Sequence, residues 1–141
     1  MGAEWILDAG PIIAALDESE KQHEICCEMF RMSKKSSHPL VTSEAVVTEA
    51  THLLGRLPRG VSTCVDFIMD SQIHIMSTSF ETLKRVSALI KKYEDIPMDY
   101  ADATLVVLAE ELETNQILTL DRRGFSAYRL HSRTPFHIIP N

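Results

Sequence analysis

The sequence has no run approaching the roughly 18 apolar residues needed to cross a bilayer, so no membrane span is expected in its 141 residues. Its start, Met1-Gly-Ala-Glu-Trp5, has no cationic region followed by a long apolar segment. That argues against a secretory leader and predicts a soluble, cytoplasmic protein. Cysteine is scarce: Cys26, Cys27 and Cys64 form no CxxC, are odd in number and include an adjacent pair that rarely bridges to itself. Reduced thiols are expected rather than a disulfide framework. Basic residues are not in excess, since 14 Lys and Arg face 20 Asp and Glu for a net charge of -6. This excludes a protein coated in positive charge, but nucleic acid can still be held through a local basic patch or through metal ions. A GxGxxG turn after a strand is missing, which removes dinucleotide binding. His23, His38, His52, His74, His131 and His137 have no zinc-like spacing and are read as structural or surface residues. No serine or cysteine triad, internal repeat, linker or low-complexity segment stands out.

What is present fits a globular chain. Hydrophobic content of 45% and charged content of 24% are ordinary for packed domains, and the length matches one compact core, so a single domain over residues 1–141 is expected. Short apolar runs alternate with helical patterns. Trp5-Ile-Leu7, Leu40-Val-Thr42, Ile73-His-Ile-Met76, Gln116-Ile-Leu-Thr-Leu120 and Phe136-His-Ile-Ile139 read as strands, the last as a closing edge strand. Ala9-Gly10-Pro11 opens a helix with proline suited to its first position. Ser19-Glu-Lys-Gln22 and Thr78-Ser-Phe-Glu81 match capping boxes and predict helix starts. The first helix runs to about Ser33 with Ile25, Cys26, Met29, Phe30, Met32 and Ser33 on its inner face, and the second runs to about Tyr93 with Leu83, Val86, Leu89 and Ile90 inward. Ser43 is placed to cap a helix from Glu44 to about Arg56 with a stripe of Val46, Ala50, Leu53 and Leu54, and a further helix spans Val61 to Asp70 with Val65, Ile68 and Met69 inward. Strands alternating with helices predict an α/β fold with a mainly parallel sheet and helices on both faces.

Against this frame, several acids fall where a charge is costly or where a crevice opens. Asp8 and Asp121 each follow an apolar run, at the carboxyl edge of a parallel sheet where ligand crevices form, and the two become neighbours if their strands are adjacent. For either, an N-cap role is the plain structural alternative. Asp102 lies three, four, seven and ten positions before Leu105, Val106, Ala109 and Leu112, on the apolar stripe of its helix. Glu49 lies within the stripe of Val46 and Leu53. Ionised carboxylates are rarely buried without a partner or a metal, so the alternative for Glu49 is a salt bridge to a nearby arginine.

Carboxylates crowded together raise one another's pKa unless a cation neutralises them. All-oxygen ligation suits Mg²⁺ or Mn²⁺, and such ions activate water and stabilise the leaving oxygen of an in-line displacement. Phosphodiester hydrolysis is the corresponding chemistry. Thr119, Arg122 and Arg123 flank Asp121 and offer a hydroxyl and two cations to a bound phosphate; their alternative is plain surface charge.

Trp5-Ile-Leu-Asp8, Val47-Thr-Glu49-Ala, Asp99-Tyr-Ala-Asp102-Ala-Thr-Leu and Ile117-Leu-Thr-Leu-Asp121-Arg-Arg-Gly-Phe125 occur in this order over nearly the whole chain. Together they resemble the PIN-domain ribonucleases, most of all the VapC-type toxins of toxin–antitoxin modules. The resemblance implies a three-layer α/β/α sandwich and an acidic site that binds Mg²⁺ or Mn²⁺ and cleaves single-stranded or loop RNA. By position Asp8, Glu49, Asp102 and Asp121 match the family's four acids, and Asp99, three residues before Asp102, is an added candidate ligand. It further implies a homodimer and a cognate antitoxin that covers the site. Members commonly carry Ser or Thr soon after the first Asp, whereas this chain has Ala9-Gly10-Pro11, which removes a hydroxyl from the site. A receiver-like domain fits poorly, because Asp8 has no adjacent acid and Asp121 is followed by arginines. A haloacid-dehalogenase-type phosphatase needs an acid at position 10, which is Gly. The alternative from another class is a catalytically silent PIN-like module that binds RNA or protein.

Overall fold

Strand β1 (Trp5–Leu7) and strand β2 (Leu40–Ser43) are buried at every position, as residues of a parallel sheet covered on both faces must be. With β3 (His74–Met76), β4 (Gln116–Leu118) and β7 (His137–Ile139) they form a five-stranded sheet in the order β3-β2-β1-β4-β7. All four pairings are parallel, with Ile6 opposite Val41 on one side and Ile117 on the other. The computed structural model describes residues 3–141. A separate antiparallel ribbon of β5 (Arg129–Leu130) and β6 (Thr134–Pro135) precedes β7. The sequence pattern does not show this ribbon, because its two-residue strands carry no alternation.

Seven helices flank the sheet among the described residues: α1 (Ala9–Leu16), α2 (His23–Lys35), α3 (Glu44–Leu54), α4 (Gly60–Asp70), α5 (Leu83–Lys92), α6 (Tyr100–Leu112) and α7 (Arg122–Phe125). The expected mainly parallel α/β architecture is therefore present. Pro11 is the third residue of α1 rather than the first, still within the turn whose backbone N–H groups have no helical partner. Ser43 caps α3 as expected, its Oγ accepting from the Val46 N–H at 3.3 Å.

Neither expected capping box forms. The Ser19 hydroxyl donates to Asp17 at 2.6 Å, and α2 begins only at His23. The Thr82 N–H donates to Ser79 in a turn, and α5 begins at Leu83. At the first place the expected cap Ser19 bonds Asp17 instead of the helix, and at the second the turn closes through Ser79 rather than the expected cap Thr78, the local competition that makes Ser and Thr ambiguous.

Several expected inward residues face solvent instead: Ile25, Met32, Leu53, Val65, Met69 and Leu83. Helix α6 departs from its expected stripe in the opposite sense. Ala101 and every residue from Ala103 to Glu110 are buried, because this helix packs on β1 and β2 while α3, α5 and β5 cover its other sides. Its one interior charge, Glu110, takes a two-pronged bond from Arg85 at 2.9 and 2.7 Å and a third from the His131 N–H at 2.6 Å. Gly60 is fixed by close approach, since a Cβ there would stand 1.7 Å from the Leu54 carbonyl oxygen. Cys26, Cys27 and Cys64 are all free thiols.

Candidate active site

The register of β1 on β4 decides where the first and last acids stand. Leu7 pairs with Leu118, and the Asp8 N–H continues the ladder by donating to the Leu118 carbonyl at 3.0 Å. Asp8 and the Thr119–Asp121 turn therefore leave the same edge of the sheet side by side. The Thr119 hydroxyl donates to Asp8 Oδ2 at 2.7 Å and accepts from the Asp121 N–H at 3.0 Å. Thr119 was expected beside the substrate phosphate; it is fully buried, and its hydroxyl ties the two acids together.

Three of the five candidate acids are helix N-caps, so the structural alternative weighed for Asp8 and Asp121 is present alongside any chemistry. Asp8 Oδ1 accepts from the Ala9 N–H at 2.8 Å, Asp121 Oδ1 from the Gly124 N–H at 3.0 Å, and Asp99 Oδ1 from the Asp102 N–H at 2.8 Å. Asp102 completes a reciprocal cap, its Oδ2 accepting from the Asp99 N–H at 3.2 Å. Capping spends one oxygen of each pair. Oδ2 of Asp99 and of Asp121 and Oδ1 of Asp102 accept no protein donor among the described residues, and neither oxygen of Glu49 does. The positive ends of three helices meet at this edge and favour negative charge on it.

The electrostatics show that the acids share one place. Burial pushes the Asp8 carboxyl above its ordinary pKa, and the charges of Asp121 and Asp99 add to the shift against the bonds from Thr119 and Ala9. Glu49 is raised by burial, then by Asp8 and Asp99. Asp102 is raised by burial, then by Asp99 and Asp8, against the bond from the Asp99 backbone. Among the described residues no Lys, Arg or His forms a salt bridge to any of the five. The contrast lies elsewhere in the same fold, where buried Asp17 is bonded by Arg56 at 2.6 Å and Glu110 by Arg85. The salt bridge weighed for Glu49 does not form. Among the described residues no three His, Cys, Asp or Glu side chains stand close enough as placed to make a finished metal cage. The donor set is nonetheless all carboxylate oxygen and lacks a counter-charge, which suits a hard divalent cation.

The two expected phosphate ligands separate. Arg122 donates to the Pro140 carbonyl, which draws it toward the chain terminus. Arg123 is exposed beside Asp121, and its guanidinium has no partner among the described residues.

Two residues that the sequence pattern did not single out hold the acids in position. Tyr128 is buried, packs edge-on against Tyr93 and Phe125, and directs its hydroxyl to Asp102 Oδ2 at 3.5 Å. Burial and the surrounding acids raise its pKa, so it stays protonated. Gly124 leaves room for Asp121, because an added Cβ would lie 2.6 Å from Asp121 Oδ2. The only sequence signal for either was their closeness to Asp121.

Residues 5–130 match the PIN domain. The chain belongs to the PIN-domain family. Over 138 residues, 96% of this chain and 99% of the relative, it is 30% identical to Ribonuclease VapC26 of Mycobacterium tuberculosis. Two solved structures share the fold. VapC20 of M. tuberculosis, described as a sarcin-ricin loop cleaving toxin, matches with a TM-score of 0.70 at 13% identity over 82% of this chain and 87% of that one. VapBC2 of Rickettsia felis, bound to a DNA fragment from its promoter, matches with a TM-score of 0.67 at 12% identity over 97% and 98%. In this PIN domain Asp8 and Asp121 leave one sheet edge side by side, and Asp99, Asp102 and Glu49 are electrostatically linked to Asp8.

Proposed function

We propose that this PIN-domain protein is a metal-dependent endoribonuclease, the toxin of a toxin–antitoxin pair, with the whole chain forming one nuclease domain. The observation that carries this reading is uncompensated charge: five carboxylates share one edge without a cation, while Asp17 and Glu110 each hold an arginine. Mg²⁺ or Mn²⁺ held by Asp8, Asp102 and Asp121, with Glu49 and Asp99 as further oxygen donors, would neutralise that charge and polarise water and phosphate.

The protein's own groups divide the remaining work. Thr119 fixes Asp8, and Tyr128 with the Asp99 cap fixes Asp102, so the donors are held before substrate arrives. Glu49, the acid whose two oxygens both lack a protein donor among the described residues, takes the proton of the attacking water. Water adds to phosphorus as the bond to the leaving ribose oxygen breaks, and that oxygen takes a proton from solvent and departs as a hydroxyl. Arg123 faces the substrate phosphate as a planar donor. Of the expected substrate ligands, Thr119 acts through Asp8, and Arg122 contributes through its local field.

The ribonuclease name of VapC26 supports RNA as substrate. The Rickettsia VapBC2 structure supports a partner protein, the antitoxin, and a homodimer is expected alongside it. No helix among the described residues is long and apolar enough to cross a membrane.

The test is RNA cleavage with Mg²⁺ or Mn²⁺, with EDTA, and with Asp8→Asn or Asp121→Asn. Cleavage only with metal, lost in either variant, is expected. Equal cleavage by parent and variants overturns the assignment, and RNA binding without any cleavage points to the silent binding module.

A further inference from the structure

Two large aromatic side chains stand exposed on the edge of the sheet that carries the acids, and nothing in the fold uses them. Tyr100 is the first residue of α6, between Asp99 and Asp102, and is 46% exposed; Phe80, in the loop after β3, is 86% exposed. Among the described residues neither ring packs against another, whereas Phe30, Phe67, Tyr93, Phe125, Tyr128 and Phe136 all make edge-on ring contacts. The Tyr100 hydroxyl takes no hydrogen bond among them either.

Their positions follow from the helical period and the strand order. Tyr100 stands one turn before Thr104, whose hydroxyl donates to Ser43 at the end of β2. Thr104 and Ser43 line a narrow cleft with Ser77 and Thr78, the start of the loop that leads to Phe80. The order β3-β2-β1-β4 then sets a sequence along the edge: Phe80 beyond β3, Tyr100 over β2, the acids at β1 and β4, and Arg123 past β4. Strands about 4.8 Å apart put the end of β3 about 10 Å from that of β1. A chain laid along this edge meets rings on one side of the acids and a cation on the other.

We infer that Tyr100 and Phe80 are stacking platforms for unpaired nucleobases of the RNA on one side of the scissile phosphate, with Arg123 holding a phosphate on the other. Base faces accept aromatic rings only where they are unstacked, so these two rings are the part of the protein that would select unpaired bases over a continuous duplex. The inference rests on the ribonuclease reading and deepens it.

The test uses a short single-stranded RNA and the same sequence as a blunt duplex. Tyr100→Ala is expected to raise KM about tenfold, as loss of one base–aromatic stack does, with the loss falling on KM rather than kcat. Phe80→Ala moves KM in the same direction, and Tyr100→Phe, which keeps the ring, restores the parental value. A second measurement needs no turnover. An RNA carrying 2-aminopurine beside the cleavage site is quenched on binding to the Asp121→Asn protein, and adding Tyr100→Ala removes the quench. Cleavage with KM and quench unchanged in both alanine variants overturns the inference and leaves the ribonuclease reading standing, with the rings then assigned to a protein contact. Equal cleavage of the duplex also overturns it. A protein that neither cleaves nor binds RNA overturns both.

Discussion

Gly124→Ala perturbs the site through a single added carbon. That Cβ would stand 2.6 Å from Asp121 Oδ2, 3.2 Å from Asp121 Cγ and 3.0 Å from the Tyr128 hydroxyl, while ordinary contact begins at 3.4 Å. The carboxylate must retreat by roughly 0.8 Å, and misplacement of a catalytic group by about 1 Å costs on the order of 10²-fold in rate. Folding is affected far less. Gly124 has no positive φ, so alanine meets no backbone strain there. Helix propensity favours it by up to about 1 kcal/mol, and weakening the Asp121 cap costs about the same. The variant is therefore expected to unfold within about 1 kcal/mol of the parent in urea while cleaving RNA about a hundredfold more slowly. Gly10→Ala is the control, since its Cβ would meet Leu120 at an ordinary 3.5 Å, and it should keep full activity. Parental kcat in Gly124→Ala would refute the view that Asp121 works from a fixed position.

Glu49→Gln should abolish cleavage while leaving the metal-free melting temperature unchanged or higher, because it removes a charge raised by burial and by Asp8 and Asp99; a clear fall in Tm would contradict this. Asp8, Glu49 and Asp102 bind protons more tightly folded than unfolded, so metal-free stability should fall as pH rises above about 4 and go on falling through about 8, where Asp102 titrates. Asp17 and Glu110 shift the other way, and their stabilisation disappears only as pH falls through the carboxylate range. Urea midpoints across this range in EDTA check the sign, Mg²⁺ should recover part of the loss, and a flat profile would refute the crowding. Arg85→Ala should cost about 3 kcal/mol by stranding buried Glu110, with part of the loss recovered by adding Glu110→Gln; denaturant unfolding of the three proteins measures both.

The sheet edge was legible because burial and chemistry used the same signal. Apolar runs that stop at Asp8 and Asp121 mark strand ends, whereas the adjacency of β1 and β4 was left open by the sequence and came from the strand order. Helix faces were less legible. Leu53 and Leu54 are equally apolar, and only the packing of α3 on its neighbours buries one and exposes the other. The α6 stripe was too narrow because a helix enclosed on all sides has no polar face to give it a period. At both expected capping boxes local serine bonds, Ser19 to Asp17 and Thr82 to Ser79, formed in place of the caps, and composition does not rank such competitors. The hydroxyl contact of Tyr128 with Asp102 and the inward turn of Thr119 onto Asp8 join segments distant in the chain, for which one sequence carries no pattern, while the role of Gly124 rests on its close approach to Asp121 in the folded turn.

The caps on α1, α6 and α7 make the proposed catalytic acids structural as well, and this limits which inactive forms of the protein can persist. Asparagine caps a helix about as well as aspartate, whereas alanine forfeits about 1 kcal/mol at each such position. A chain disarmed by Asp8→Asn or Asp121→Asn thus keeps its shape, and with it any surface that a partner recognises. The asparagine forms are therefore the ones with which to capture the proposed antitoxin without toxicity, whereas each alanine form starts about 1 kcal/mol less stable.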